Sequence, residues 1–100
     1  MSKTQGQIKA NLRVLEARWA GLILWALMHE ELRYGGIKAR VPDITDRVLS
    51  RRLKELEDDG IVERHTIGSR PPAVWYRLSK AGQELKPIFQ ALNRWQLPRK

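Results

Sequence analysis

The chain of 100 residues contains no cysteine, which excludes disulfides, thiolate metal sites and redox sensing through a thiol of its own. It also has no long apolar run. The longest, Trp19 to Met28, is about ten residues, well short of the ~20 that a helix needs to span a bilayer. Acidic groups are scarce, with 11 Asp+Glu against 19 Lys+Arg and a formal net charge of +8. Polyanions are the natural partners of such a chain. No basic n-region followed by an apolar h-region opens the sequence, so the chain reads as cytoplasmic, with no membrane partner.

Catalytic and metal-binding patterns are missing too. His29 and His65 are far apart in sequence and lack an acidic or His-x-x-x-His companion, so no metal is expected. Asp58-Asp59 reads as a solvated helix end, and Gly35-Gly36 as the flexible start of a short helix rather than a Walker-type loop. The chain is expected to be no enzyme and to need no cofactor. Its length allows one domain with a modest core, worth about 5 to 15 kcal/mol or less unless subunits share apolar surface. Four tryptophans make such sharing plausible.

What is present is a segment from Ile44 to Val62 whose signals agree. Thr45 can cap a helix through its hydroxyl, and Asp46 suits the positive end of the helix dipole. At 100° per residue Leu49, Leu53 and Leu56 gather on one face, while Arg47, Ser50, Arg51 and Lys54 share an opposing arc of roughly 100°. Gly60 stops the helix in a left-handed conformation. Arg52 leans toward the leucine side and is expected to be structural.

The neighbouring segments give this helix a context. Residues 1–7 are polar and read as a loose tail; Ile8, Leu12 and Leu15 mark a first helix over 8–16. Trp19, Leu22, Ile23, Ala26 and Leu27 mark a core helix over about 18–29. Leu32-Arg-Tyr34 suits a short strand, and Gly35 to Val41 about two helical turns before Pro42. Beyond the helix at 45–59, a wing spans 61–78, with Gly68 to Pro72 at its tip. Ser79 caps a last helix over 80–96, broken or kinked at Lys86-Pro87, with Leu85, Ile88, Phe89, Leu92 and Trp95 as its stripe. The predicted fold is mainly α with a small β-hairpin, a winged helix-turn-helix in a single domain. In that fold the third core helix enters the major groove and the wing lies alongside.

The residues also resemble the HxlR-type transcriptional regulators over about 14–96. The resemblance rests on Arg18-Trp-Ala-Gly-Leu-Ile-Leu24, Val48-Leu-Ser-Arg-Arg-Leu-Lys-Glu-Leu56 with Asp59-Gly60-Ile-Val, Pro71-Pro-Ala-Val-Trp-Tyr-Arg-Leu-Ser79, and Ala81-Gly82. It implies a homodimer joined by its first and last helices that binds a pseudo-palindromic operator in double-stranded DNA. The groove-facing positions are then Thr45, Arg47, Ser50, Arg51 and Lys54. The chain departs from many members in lacking a cysteine near Gly6, and in carrying Ala73 and Trp75 on the wing strand.

Arg51 suits bidentate pairing with guanine, worth about 1 to 3 kcal/mol of discrimination. Thr45 and Ser50 suit phosphate or base-edge bonds, whereas Arg47, Lys54, Lys38, Arg40 and Arg70 would hold phosphates, the last from the wing tip beside Arg64 and His65. Two other functions stay open: a winged-helix protein-interaction module using an exposed Trp75 and the acidic helix end, and an architectural protein coating DNA without sequence preference. A small-molecule effector, in a pocket lined by Trp25 or Trp95, is also open.

Overall fold

Apolar residues dominate the segment after Trp19, and they form the helix around which the rest assembles in the computed structural model, which describes residues 3–98. That helix is α2 (Ala20–Leu27); α1 (Lys3–Glu16) precedes it, and β1 (Leu32–Arg33), α3 (Tyr34–Arg40) and α4 (Asp46–Asp58) follow. Then come β2 (Val62–Ile67), β3 (Ala73–Leu78), α5 (Lys80–Gln83) and α6 (Lys86–Arg94). Ile23 and Leu24 of α2, Ile37 of α3, Val41 after it, and Leu49 and Leu53 of α4 are almost fully buried. Each such side chain contributes about 1.5 to 3 kcal/mol by leaving water, so the three helices are fixed chiefly by one another.

The strands form one antiparallel sheet of order β1-β3-β2. Leu32 lies opposite Tyr76, and Tyr76 opposite Arg64; Val62 lies opposite Leu78. Leu32, Val62, Tyr76 and Leu78 are buried against the helices, as the alternation in β3 requires. The expected two-stranded hairpin is thus extended by β1, a pairing between segments more than 40 residues apart that no local pattern signals.

Several boundaries differ from expectation. Helix α1 starts at Lys3, so part of the segment read as a loose tail is helical; Met1 and Ser2 lie outside the described residues. Extending a nucleated helix through polar residues that contain no proline costs little. Trp19 adopts φ 78°, a left-handed conformation that costs a bulky residue about 1 to 2 kcal/mol, and it delays α2 to Ala20. Packing of the half-buried indole on the core and the Arg18 guanidinium 4.6 Å from its ring centre offset that cost. Leu22, expected inside, is exposed, and Leu24 is buried instead. The break before Pro87 is present, with α5 and α6 separate and Pro87 in the first turn of α6, where its missing N–H is harmless. Trp95 has already left the helix, three residues ahead of Pro98.

Ile8 and Leu12 of α1, Leu22, Ile88 and Leu92 of α6, and Trp95 are all about half exposed or more. The Cα radius of gyration, 15.0 Å, exceeds the ~13 Å of a compact domain of this length. Apolar surface is left uncovered at the end of the molecule made by its first and last helices.

Candidate nucleic-acid interface

Helix α4 is shaped at both ends by its own sequence. Thr45 is extended, and its Oγ1 accepts from the Val48 amide at 3.2 Å. At the other end the amides of Gly60 and Ile61 donate to the Glu57 and Leu56 carbonyls, both at 2.9 Å, with Gly60 at φ 76°. Those two bonds make a Schellman stop, which needs the left-handed glycine. Between them Leu49, Leu53 and Leu56 are buried, and Arg47, Ser50, Arg51 and Lys54 are exposed on the opposite side.

The sequence-predicted cations divide by their partners. Lys38 pairs with Asp46 at 2.5 Å, Arg40 with Glu30 at 3.0 Å and with the Gly36 carbonyl, and Lys54 with Asp58 at 2.7 Å. Among the described residues no acceptor is recorded for Arg47, Arg51 or Arg70. Exposed pairs are worth only about 0 to 1 kcal/mol. Lys38, Arg40 and Lys54 can therefore be drawn to a phosphate, but each must first leave a partner. The three unpaired arginines need not. Arg52 is bound inward, its Nε donating to the Arg18 carbonyl at 2.9 Å and its Nη1 to Glu55 at 3.1 Å, so it braces α4 against the start of the core helix as expected.

One residue of this surface escaped the sequence reading. Tyr34, first in α3, shares its one hydroxyl proton between the Asp46 carbonyl oxygen at 3.0 Å and Asp46 Oδ1 at 3.1 Å, and lies 3.4 Å from Ser50 Oγ. Only the tertiary approach of α3 to α4 reveals it. The Lys38 ammonium, and then the Tyr34 hydroxyl, hold the Asp46 carboxyl below its ordinary range, and Asp58 raises Lys54 above its own. Sign follows directly: the Lys38–Asp46 pair is intact above the usual aspartate range and is lost as pH falls through the lowered value.

The wing is tied down along its length. His65 on β2 bonds Glu31 ahead of β1, Arg77 pairs across the strands with Glu63 at 3.0 Å, and Arg64 approaches Glu57 of α4 at 4.0 Å. Arg64 and His65 thus anchor the wing more than they extend it, whereas Arg70 stays exposed at the tip. Trp75 is half-buried on the outer face of the sheet, between Arg33 and His65 in register, and offers less surface than an exposed residue would.

Known proteins share this chain's sequence pattern and its fold. The family model described as HxlR-like helix-turn-helix matches residues 14–98. The HTH-type transcriptional regulator YvaP of Bacillus subtilis (strain 168) is 39% identical over 82 residues, covering 82% of this chain and 76% of YvaP. The crystal structure of the HTH-type transcriptional regulator YtcD superimposes with a TM-score of 0.83 at 36% identity, covering 95% of this chain and 93% of that one. The redox regulator HypR in its reduced form gives 0.83 at 32% identity, covering 89% and 88%. With the family match running from the last turn of α1 to beyond α6, and a relative 39% identical over 82% of the chain, the chain belongs to the HxlR-like helix-turn-helix family of transcriptional regulators.

Proposed function

We propose that this regulator binds double-stranded DNA sequence-specifically as a homodimer, with α4 in the major groove and the wing on the neighbouring backbone, and that it acts in the cytoplasm. The observation that carries the reading is the set of three unpaired guanidiniums, Arg47 and Arg51 on the exposed arc of α4 and Arg70 at the wing tip. Free guanidiniums on a rigid element can meet phosphate or guanine without losing an internal bond. The acidic residues Glu55, Glu57, Asp58 and Asp59 crowd the C-terminal half, so only the first half of α4 can approach a polyanion. Selection of bound sequences from a random duplex pool tests this. The expected product is an inverted repeat with half-sites about one helical turn, ~34 Å, apart; a pool that stays random overturns sequence specificity.

The half-exposed stripe of Ile8, Leu12, Ile88, Leu92 and Trp95 supports pairing of two copies through the first and last helices. Light scattering should then give twice the chain mass of 11.6 kDa. Leu12→Glu with Leu92→Glu should halve it and sharply weaken retention of the inverted repeat, since each half-site would be bound alone. A wild-type mass of 11.6 kDa overturns the dimer. Solved relatives include a diamide-treated and a quinone-bound YodB, alongside the redox regulator HypR. Without a cysteine, any signal this chain receives acts through other chemistry.

A further inference from the structure

The first turn of α4, the helix proposed to meet a polyanion, carries a carboxylate. Asp46 has a 70% exposed side chain and stands beside the Thr45 cap in the first turn of α4. A favourable helix dipole explains an acid there, but it does not require the side chain to be held in one position. Here it is held. Oδ1 accepts from Lys38 and lies within reach of the Tyr34 hydroxyl, whose one proton is shared with the Asp46 backbone carbonyl, so the residue is tied to α3. No group among the described residues donates to Oδ2.

We propose that Asp46 is a specificity-determining residue: with Oδ1 anchored by Tyr34 and Lys38, its Oδ2 accepts a hydrogen bond from the exocyclic amine of a cytosine in each half-site. The inference rests on the reading of α4 as the helix that enters the major groove. An ionised carboxylate is acceptor-only, and the cytosine N4 amine is the donor such a group pairs with in that groove. Thymine presents O4, an acceptor, in the same place, so a fixed carboxylate rejects it by repulsion as well as by the lost bond. Lys38 compensates much of the negative charge that Asp46 brings near phosphates. Ser50, 3.4 Å from the Tyr34 hydroxyl and one turn along α4, lies on the same side and can serve the next base edge or phosphate.

The test uses the full chain and the inverted repeat obtained by selection, with wild type, Asp46→Asn and Asp46→Ala titrated by fluorescence anisotropy. Each cytosine of a half-site is changed in turn to thymine. One such change should weaken wild type about fivefold to 150-fold and should leave Asp46→Ala nearly unaffected. Asp46→Asn, which keeps the acceptor for Tyr34, should shift the preference at that position toward adenine, whose N6 and N7 suit an amide. Tyr34→Phe should lose part of the discrimination while retaining the carboxylate. A purely structural role for Asp46 would move affinity for every sequence alike and leave base preference unchanged. If every cytosine-to-thymine change costs the Asn variant what it costs wild type, the role of Asp46 is overturned while sequence-specific binding stands. A selection that enriches no sequence overturns the underlying reading instead.

Discussion

Gly82→Ala is expected to destabilise the protein by about 3 kcal/mol or more, the upper end of overpacking costs. A methyl carbon at residue 82 would stand 2.3 Å from the Ile61 carbonyl oxygen and 3.2 Å from Leu78 Cβ. The Ile61 backbone cannot retreat cheaply. The Ile61 amide is committed to the Leu56 carbonyl and its own carbonyl to the Ser79 amide, both at 2.9 Å. Ser79 Oγ donates to the Gly60 carbonyl at 2.6 Å and accepts from the Gly82 amide at 3.0 Å. The stop of α4 and the start of α5 therefore form one clasp. At roughly 4 °C or more per kcal/mol, the melting temperature followed by circular dichroism should fall by about 12 °C or more. Gly35→Ala, with open space around it, should leave that temperature unchanged or higher. A Gly82→Ala protein melting within about 3 °C of wild type would show that the clasp yields.

Arg51→Ala should lower affinity for the selected operator about fivefold to 150-fold, and affinity for random duplex far less. The upper figure applies if the guanidinium pairs bidentately with a guanine. Arg51 is exposed and no internal partner is recorded for it, so its removal should not perturb folding. Arg47→Ala is the contrasting variant, for as a phosphate contact it should weaken both DNAs alike and reduce the salt slope by about 1. Titrations of operator and random duplex at several salt concentrations separate the two roles. Equal losses on both DNAs for Arg51→Ala would reduce it to a phosphate contact.

The parts of this molecule that were legible from sequence are those decided within a few residues. Thr45, the leucines of α4 and Gly60 each act through bonds or spacing that span no more than two turns, and Arg52 was placed inward by the same periodicity. The parts that escaped depend on distant chain. Lys38 and Asp46 read separately as a phosphate contact and a cap-region acid; only the approach of α3 to α4 turns them and Tyr34 into one cluster. Arg40 looked free for the same reason, its acid lying ahead of β1, whereas the Lys54–Asp58 pair is an i,i+4 spacing within α4 that the sequence already offered. Trp19 could not be read as left-handed, because the conformation is disfavoured for its type and is sustained by tertiary packing. The short strand at Leu32 was legible, but its place beside β3 was not, because two residues are matched to a partner far along the chain.

That third strand also bears on how the protein behaves in concentrated solution. With β3 flanked on both sides, the longest unpaired sheet edge belongs to β2, whose central residues are Glu63, Arg64 and His65. Three successive ionisable side chains, engaged with Arg77, Glu57 and Glu31, make a poor template for another chain's strand. The other edge, β1, is too short to seed growth. Intermolecular sheet extension, the ordinary aggregation hazard of an exposed hairpin, is thus disfavoured along β2, even though the helical end of the same molecule offers apolar surface for association.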